Sequence, residues 1–236
     1  MIVLFLSCAF YVAGFFKRPL FLAGLVLQVS YIISRGLELD RLPLVGPHDT
    51  LAFMAASIAI FSIPFALVLK ERPAFHSGAA LTCAVFTALA LVSTPHNSPL
   101  PPVLRTFWFE THVVTAFLSY ALFGIAALLG LLYLRKAEDV MDGLQYRAVL
   151  TGYCLFSASM IFGGVWAYLA WGSYWLWTPK ELWTSILWLF YSLYLHARLR
   201  SWWAGRPMAY LGIAGFSVVM FTYLGVGLLM KSSHSF

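Results

Sequence analysis

Residues 108–134, WFETHVVTAFLSYALFGIAALLGLLYL, carry one charged side chain, Glu110, in 27 positions. About 20 consecutive apolar residues cross the ~30 Å hydrocarbon core of a bilayer as an α-helix. The nearest flanking charges, Arg105, Arg135 and Lys136, stand outside the run. The stretch therefore reads as a membrane-spanning helix, the form in which a segment satisfies its own backbone N–H and C=O groups in lipid.

The rest of the chain has the same texture. Of 236 residues, 61% are hydrophobic, 17% aromatic and only 10% charged, against about 25% charged in a soluble domain. A water-soluble globule is excluded. The formal net charge of +6 rests on too few basic residues for a nucleic-acid surface, so no nucleic-acid partner is expected. Apolar runs at about 1–16, 19–34, 50–69, 78–94, 108–134, 148–170, 182–199 and 208–230 predict eight spans. The connections are too short to separate domains. The expected fold is all-α: a polytopic integral membrane helical bundle, one membrane domain over residues 1–236, in contact with the lipid bilayer. Lys17-Arg18-Pro19, between the two shortest runs, is also compatible with a kink in one re-entrant element.

Lys and Arg accumulate in cytoplasmic loops. The odd loops hold Lys17, Arg18, Lys70, Arg72, Arg135, Lys136, Arg147, Arg198, Arg200 and Arg206; the even loops and the C-terminal tail hold only Arg35, Arg41, Arg105, Lys180 and Lys231. Both termini are therefore expected outside. The first run has no basic start and no small-residue cleavage site, and reads as a retained helix. Cys8, Cys83 and Cys154 stand singly in apolar runs, without the pairing of a redox or zinc site, and read as packing residues.

Six of the nine tryptophans fall in GGVWAYLAWGSYWLWTPKELWTSILW, residues 163–188. An aromatic belt at the headgroup level does not need that density. Trp171, Trp175 and Trp177 lie in the connection itself, beside Gly172, Ser173, Tyr174 and Pro179, and suggest a laid-out apolar shelf on the outer side. Such a shelf suits a planar ligand, a porphyrin or a quinone, through offset stacking, or a choline-like cation through cation–π attraction.

Histidines narrow that choice. His112 opens the fifth span and His234 follows the eighth, so both are expected on the side of the tryptophan connection. Two imidazoles over an aromatic shelf fit the axial positions of a haem iron. His196 stands at the cytoplasmic end of the seventh span, on a stripe with Ser185, Leu189 and Ser192 that is expected to face a cavity. His48, His76 and His96 read as solvated loop residues, and Asp49 and Glu110 as hydrated or partner-facing. Lys180 and Glu181 open the seventh helix, where the carboxylate suits the helix dipole; a functional version sets Lys180 beside a haem propionate, with Glu181 orienting the loop.

WGSYWLWTPKE, preceded by GGVWA and followed by YLHAR, resembles the tryptophan-rich WWD signature of the cytochrome c assembly family of haem-handling membrane proteins. The likeness is nearest to the CcsA/ResC branch of system II and runs from about His112 to the end, with a weaker echo at LPLVGPHDTLAF. It implies that residues 166–188 form an external haem-binding segment contributed by Trp166, Trp171, Gly172, Tyr174, Trp175, Trp177, Lys180, Glu181, Trp183 and Trp188. His112 and His234 are then the axial ligands and His196 a transmembrane relay. Where the signature has Asp, this chain has Thr178, so a negative charge is lost.

The resemblance implies haem b as the transported substrate, a ResB/CcsB-type membrane protein and apocytochrome c as partners, and thioether attachment to a CXXCH motif. The expected setting is the bacterial cytoplasmic membrane, the thylakoid membrane being the alternative. The chain shows no independent nucleophile or general base, so a synthase activity would be shared with the partner. A HemX-like role in supporting haem synthesis is the alternative function. A transporter or quinol-linked redox subunit would need more charge within the membrane.

Overall fold

The computed structural model describes residues 1–70 and 72–229, which contain helices and no strand. The helices are α1 (Ile2–Gly14), α2 (Arg18–Leu39), α3 (Pro47–Val68), α4 (Pro73–Val92), α5 (Phe107–Arg135), α6 (Asp139–Trp171), α7 (Pro179–Arg198) and α8 (Arg206–Met220). Beyond α8 the chain makes a π-helical turn, Phe221–Gly225, and resumes as α9, Val226–Leu229. Each expected span falls on one of these helices.

Six helices have the length and apolarity to cross a membrane: α2, α3, α4, α5, α6 and α8 with its π turn. The protein is thus a multi-pass membrane protein. The 13 residues of α1 cover about 20 Å at 1.5 Å per residue, short of the hydrocarbon core. At 20 residues α7 is long enough, but Ser185, Ser192, Tyr191, Tyr194 and His196 make it more polar than the six. Proline punctuates the series: α2, α3, α4, α7 and α8 each begin with Pro at the first or second position, where a missing N–H is not felt.

The helices cluster into two compact units, Met1–Pro99 and the residues from Leu100 onward. In the first, α1 and α2 form a hairpin broken at Phe15–Lys17, so the Lys17-Arg18-Pro19 segment separates two helices. They approach closely because Gly14 lies against Phe21 and Gly24 against Tyr11; a Cβ at either glycine would come within 2.8–2.9 Å of its neighbour. Small residues at such contacts are the usual currency of helix packing in lipid. Gln28, fully buried, accepts from Ser7 Oγ at 2.7 Å and donates to Ala52 O at 3.0 Å, tying α1, α2 and α3 together.

Two sequence expectations are corrected in this unit. His48 is fully buried: Nδ1–H donates to Ala90 O at 2.7 Å, and Nε2 accepts from Tyr31 Oη at 2.5 Å. Asp49, read as hydrated or partner-facing, is buried and paired with Arg35 at 3.2 Å, Arg35 itself lying within α2. Two adjacent polar residues at the N-terminus of α3 look like a solvated loop in sequence. Here the helix turns both inward, His48 onto Tyr31 and Ala90 O and Asp49 Oδ1 onto Arg35. His96 and His76 are half-buried, and His76 Nε2–H donates to Gly14 O at 2.8 Å.

In the second unit α5 packs along α6 and α8. Thr106 caps α5, its Oγ1 accepting from Phe109 N at 3.2 Å. Phe123 of α5 stacks on Tyr191 of α7, centroids 3.6 Å apart and planes within 8°. At one end of the unit Arg198 of α7 pairs with Asp142 of α6 at 2.5 Å and lies over the Tyr146 ring. At the other end the start of α5, the end of α6, the start of α7 and the turn after α8 converge.

Candidate functional site

Those four termini enclose a cavity of about 160 Å³ that is partly open to the outside, walled by Phe109, Val113 and Tyr120 of α5, Phe156 and Trp166 of α6, and Trp175 of the connection. His112, Lys180, Glu181 and Thr222 supply its polar groups. Thr222 reaches it from the π-helical turn, an element often found where a helix is re-aimed at a functional site.

His112 is held by α6. Its Nδ1–H donates to Ser159 O at 2.8 Å, and Ser159 Oγ–H donates back to His112 O at 2.9 Å. This fixes the tautomer with the proton on Nδ1, so that Nε2 carries the lone pair; anchoring of one ring nitrogen in this way is also how metal-binding imidazoles are held. The approach is possible because residue 163 is glycine: a Cβ there would lie 2.7 Å from His112 Nδ1. The imidazole runs nearly parallel to the Trp166 indole, 12° between planes and 6.4 Å between centroids. Trp166 is buried, and its Nε1–H donates to Val103 O at 2.8 Å.

The remaining aromatic residues do not form one flat shelf. Trp171 ends α6 edge-on against Trp166, centroids 4.9 Å apart, and Gly172, at φ 73°, terminates the helix in the left-handed conformation glycine favours. Tyr174 turns outward and stacks on Tyr168 at 4.5 Å. Trp175 is half-buried in the cavity wall, whereas Trp177 is 70% exposed. Trp183 packs on Phe221 at 4.4 Å. Trp188 lies five residues further along α7, its Nε1–H donating to Ser157 Oγ at 2.9 Å. The structure thus brings His112, Trp166, Trp175, Lys180 and Glu181 together, with Trp171 behind Trp166, and sets Tyr174, Trp177, Trp183 and Trp188 outside the cavity.

Lys180 and Glu181 have opposite roles. The Glu181 carboxylate is consumed locally, accepting from the backbone N–H of Leu176 at 3.0 Å and of Thr178 at 2.9 Å. Thr178 Oγ1 accepts in turn from Glu181 N at 3.3 Å, which completes a capping box on α7. Thr178 is therefore the N-cap, a position that Asp fills equally well. Lys180 stands ahead of the apolar run that begins at residue 182 and has no anionic partner among the described residues. Burial pushes its ammonium below the usual lysine range.

His196 lies at the far end of α7, 17 residues from Pro179 and thus about 25 Å along the axis. It is exposed, its Nδ1–H donating to Ser192 O at 2.7 Å. The stripe expected to line a cavity does not face one way: Leu189 is 60% exposed, whereas Ser192 is half-buried, its Oγ bonding Tyr153 Oη of α6 at 2.8 Å. His234 lies outside the described residues. Sequence reasoning missed Ser159, Gly163 and Thr222. The small-residue run SASMIFGG on α6 was the available signal for a close helix contact.

Fold and site together define a multi-pass α-helical membrane protein with an imidazole, two indoles and a buried ammonium gathered at one end of a four-helix unit. The chain belongs to the cytochrome c assembly protein family, whose profile matches residues 45–234. The match starts at Val45, inside LPLVGPHDTLAF, and so extends the likeness beyond the half that the tryptophan motif suggested. Similar proteins bear the name cytochrome c biogenesis protein CcsA. That of Synechococcus sp. (strain RCC307) is 31% identical, with 92% of this chain and 83% of that protein aligned. That of Chlamydomonas reinhardtii is 32% identical, over 89% of this chain and 65% of its own length. That of Pyropia yezoensis is 30% identical, over 100% and 92%.

Proposed function

We propose that the chain binds haem b as a substrate at the outer end of its second unit and presents it for covalent attachment to a CXXCH apocytochrome c, together with a ResB/CcsB-type membrane partner. The observation that carries this reading is His112: an imidazole tied through Nδ1 to the α6 backbone, parallel to Trp166, in a cavity that also holds Lys180, which has no anionic partner among the described residues. The family and the names of the relatives favour this role over support of haem synthesis.

The fit is partial burial. An apolar cavity of roughly 150 Å³ takes one six-membered ring, and this one measures about 160 Å³. A porphyrin would enter by an edge, with the rest of the macrocycle outside along Trp171 and Trp177. Lys180 would meet a propionate carboxylate, and His112 Nε2 would ligate iron. His234 is proposed as the second axial ligand and His196 as the inner relay; their family motifs support these roles. An exposed vinyl edge is what attachment requires: each apocytochrome thiol adds across a vinyl group, sulfur to one carbon and the proton to the other. Nothing in this chain need act as the nucleophile. Tyr174, Trp183, Trp188 and Gly172 serve the segment as its frame, by stacking, packing and helix termination.

The excess of Lys and Arg in the odd loops supports an outward-facing cavity. The reading assigns the chain to the bacterial cytoplasmic membrane; the thylakoid is the other setting that cyanobacterial and algal relatives allow. The test is the absorption spectrum of the purified protein from haem-replete cells. A Soret band in the wild type that is lost in both His112→Ala and His234→Ala is expected, and a wild type without one overturns the reading.

A further inference from the structure

The first unit contains a second cavity, unrelated to the haem reading. It measures about 140 Å³ and lies among Arg18 and Leu22 of α2, Ile63, Ala66 and Leu67 of α3, and His76 of α4. Its outer wall is lipid-facing: Leu22 is 48% and Leu67 61% exposed. Next to Ile63 in α3 stands Pro64, which has no N–H to give the carbonyl four residues back. Water gains nothing in a space with so apolar a lining, whereas hydrocarbon fills it favourably.

One end of this groove is basic. Arg18 is exposed at its mouth, and its Nη2 donates to Lys70 O at 2.6 Å. That uses one of five guanidinium N–H donors. Lys17 and Lys70 are exposed beside it and Arg72 follows, so four cations stand against one acid in the same segments, Glu71. The Lys and Arg count puts this end at the cytoplasmic surface, where anionic lipids meet basic pockets between membrane helices.

We infer that the groove among α2, α3 and α4 is a binding site for an anionic phospholipid, one acyl chain lying against Leu22, Ile63 and Ala66 and the phosphate meeting Arg18 and Lys17. Hydrocarbon and negative charge are required together, because the cavity is apolar and its mouth is cationic. His76 lines the same cavity and is held by its bond to Gly14 O.

The purified chain in detergent, exposed to equimolar dioleoyl phosphatidylglycerol and dioleoyl phosphatidylcholine, is read by native mass spectrometry. The wild type is expected to retain phosphatidylglycerol preferentially. Arg18→Gln should lower the ratio about fivefold, the factor that corresponds to one basic contact of about 1 kcal/mol. Lys17→Gln, which leaves the bond to Lys70 intact, should lower it in the same direction. Ala66→Trp should remove one bound lipid by filling the groove, and glycerol 3-phosphate, which has the charge without the chain, should not compete. Equal retention of the two lipids by the wild type overturns the proposal, as does an unchanged ratio in both charge variants, an unchanged lipid count in Ala66→Trp, or competition by glycerol 3-phosphate.

Discussion

Glu181 holds Trp177 in a left-handed backbone conformation. The residue sits at φ 57°, a region that costs a non-glycine side chain about 1–2 kcal/mol. The N–H groups on either side of it, those of Leu176 and Thr178, both donate to Glu181 Oε2. The carboxylate thus offsets the strain and keeps the Trp177 indole turned outward at the rim of the cavity.

Breaking that clamp should release the loop. Glu181→Ala is expected to lower stability in detergent by ~1–2 kcal/mol, the scale of a lost cap, and to weaken haem binding. Glu181→Gln retains an amide oxygen for the same N–H groups and should stay near the wild type. Thermal unfolding followed by circular dichroism, together with haem titration, separates the two variants. Equal behaviour would mean that the clamp has no mechanical role.

Thr178→Asp tests whether the lost acid of the signature matters. Since Asp and Thr both cap helices, its unfolding midpoint should match the wild type, whereas Thr178→Ala should cost ~1 kcal/mol. A haem affinity that rises well above wild type in Thr178→Asp would show that the charge contributes beyond capping.

Two adjacent glycines make a controlled pair. At residue 163 a Cβ would lie 2.7 Å from His112 Nδ1, while at residue 164 the nearest atom, Tyr174 O, is 3.6 Å away. Gly163→Ala should push the imidazole off its anchor and reduce haem affinity ~10–100-fold, as loss of an outer-shell contact does. Gly164→Ala should be tolerated. The Soret position and the titration midpoint of each variant decide the point.

His48→Ala and His112→Ala should fail differently. Removing His48 orphans the buried Tyr31 hydroxyl, at ~1–3 kcal/mol, while the Ala90 carbonyl keeps the Ser93 N–H; the haem spectrum per folded molecule should stay unchanged. His112→Ala should keep the fold and lose the Soret band. A normal midpoint in the first variant, or a retained band in the second, contradicts these assignments.

Lys180 makes the ligand-free protein pH-dependent. Its folded pKa is lowered by burial, so between that value and ~10.4 the unfolded chain binds more protons than the folded one, and stability rises with pH across the window. Lys180→Met should abolish this rise and stabilise the empty protein. It should also bind haem and its dimethyl ester equally, where the wild type prefers the free acid. Denaturation midpoints from pH 7 to 10.5 and paired titrations test both parts.

Much of the fold was legible because its determinants are local. Pro19, Pro47, Pro73, Pro179 and Pro207 mark helix starts in the sequence, and the runs between them are apolar enough to locate the helices. The common end shared by His112, the tryptophan connection and the turn after α8 also followed from alternating direction. Thr178-Pro179-Lys180-Glu181 spelled out a capping box that the search for an acidic signature residue obscured. The burial of His48 and Asp49 was hidden because polar residues at the start of a helix look solvated until their partners Tyr31, Ala90 and Arg35 are in place.

Sequence alone determined that the chain is helical, lies in a membrane and carries its aromatic chemistry near one end of a helix group, because apolar length and composition act within a segment. Only the tertiary structure decided that Trp166 and Trp175 line the cavity while Trp177 and Tyr174 do not, and that His112 is gripped by Ser159. Those outcomes depend on how each helix is rotated about its axis, on the space left at Gly163 and on one left-handed residue. All three are set by packing between segments distant in the chain.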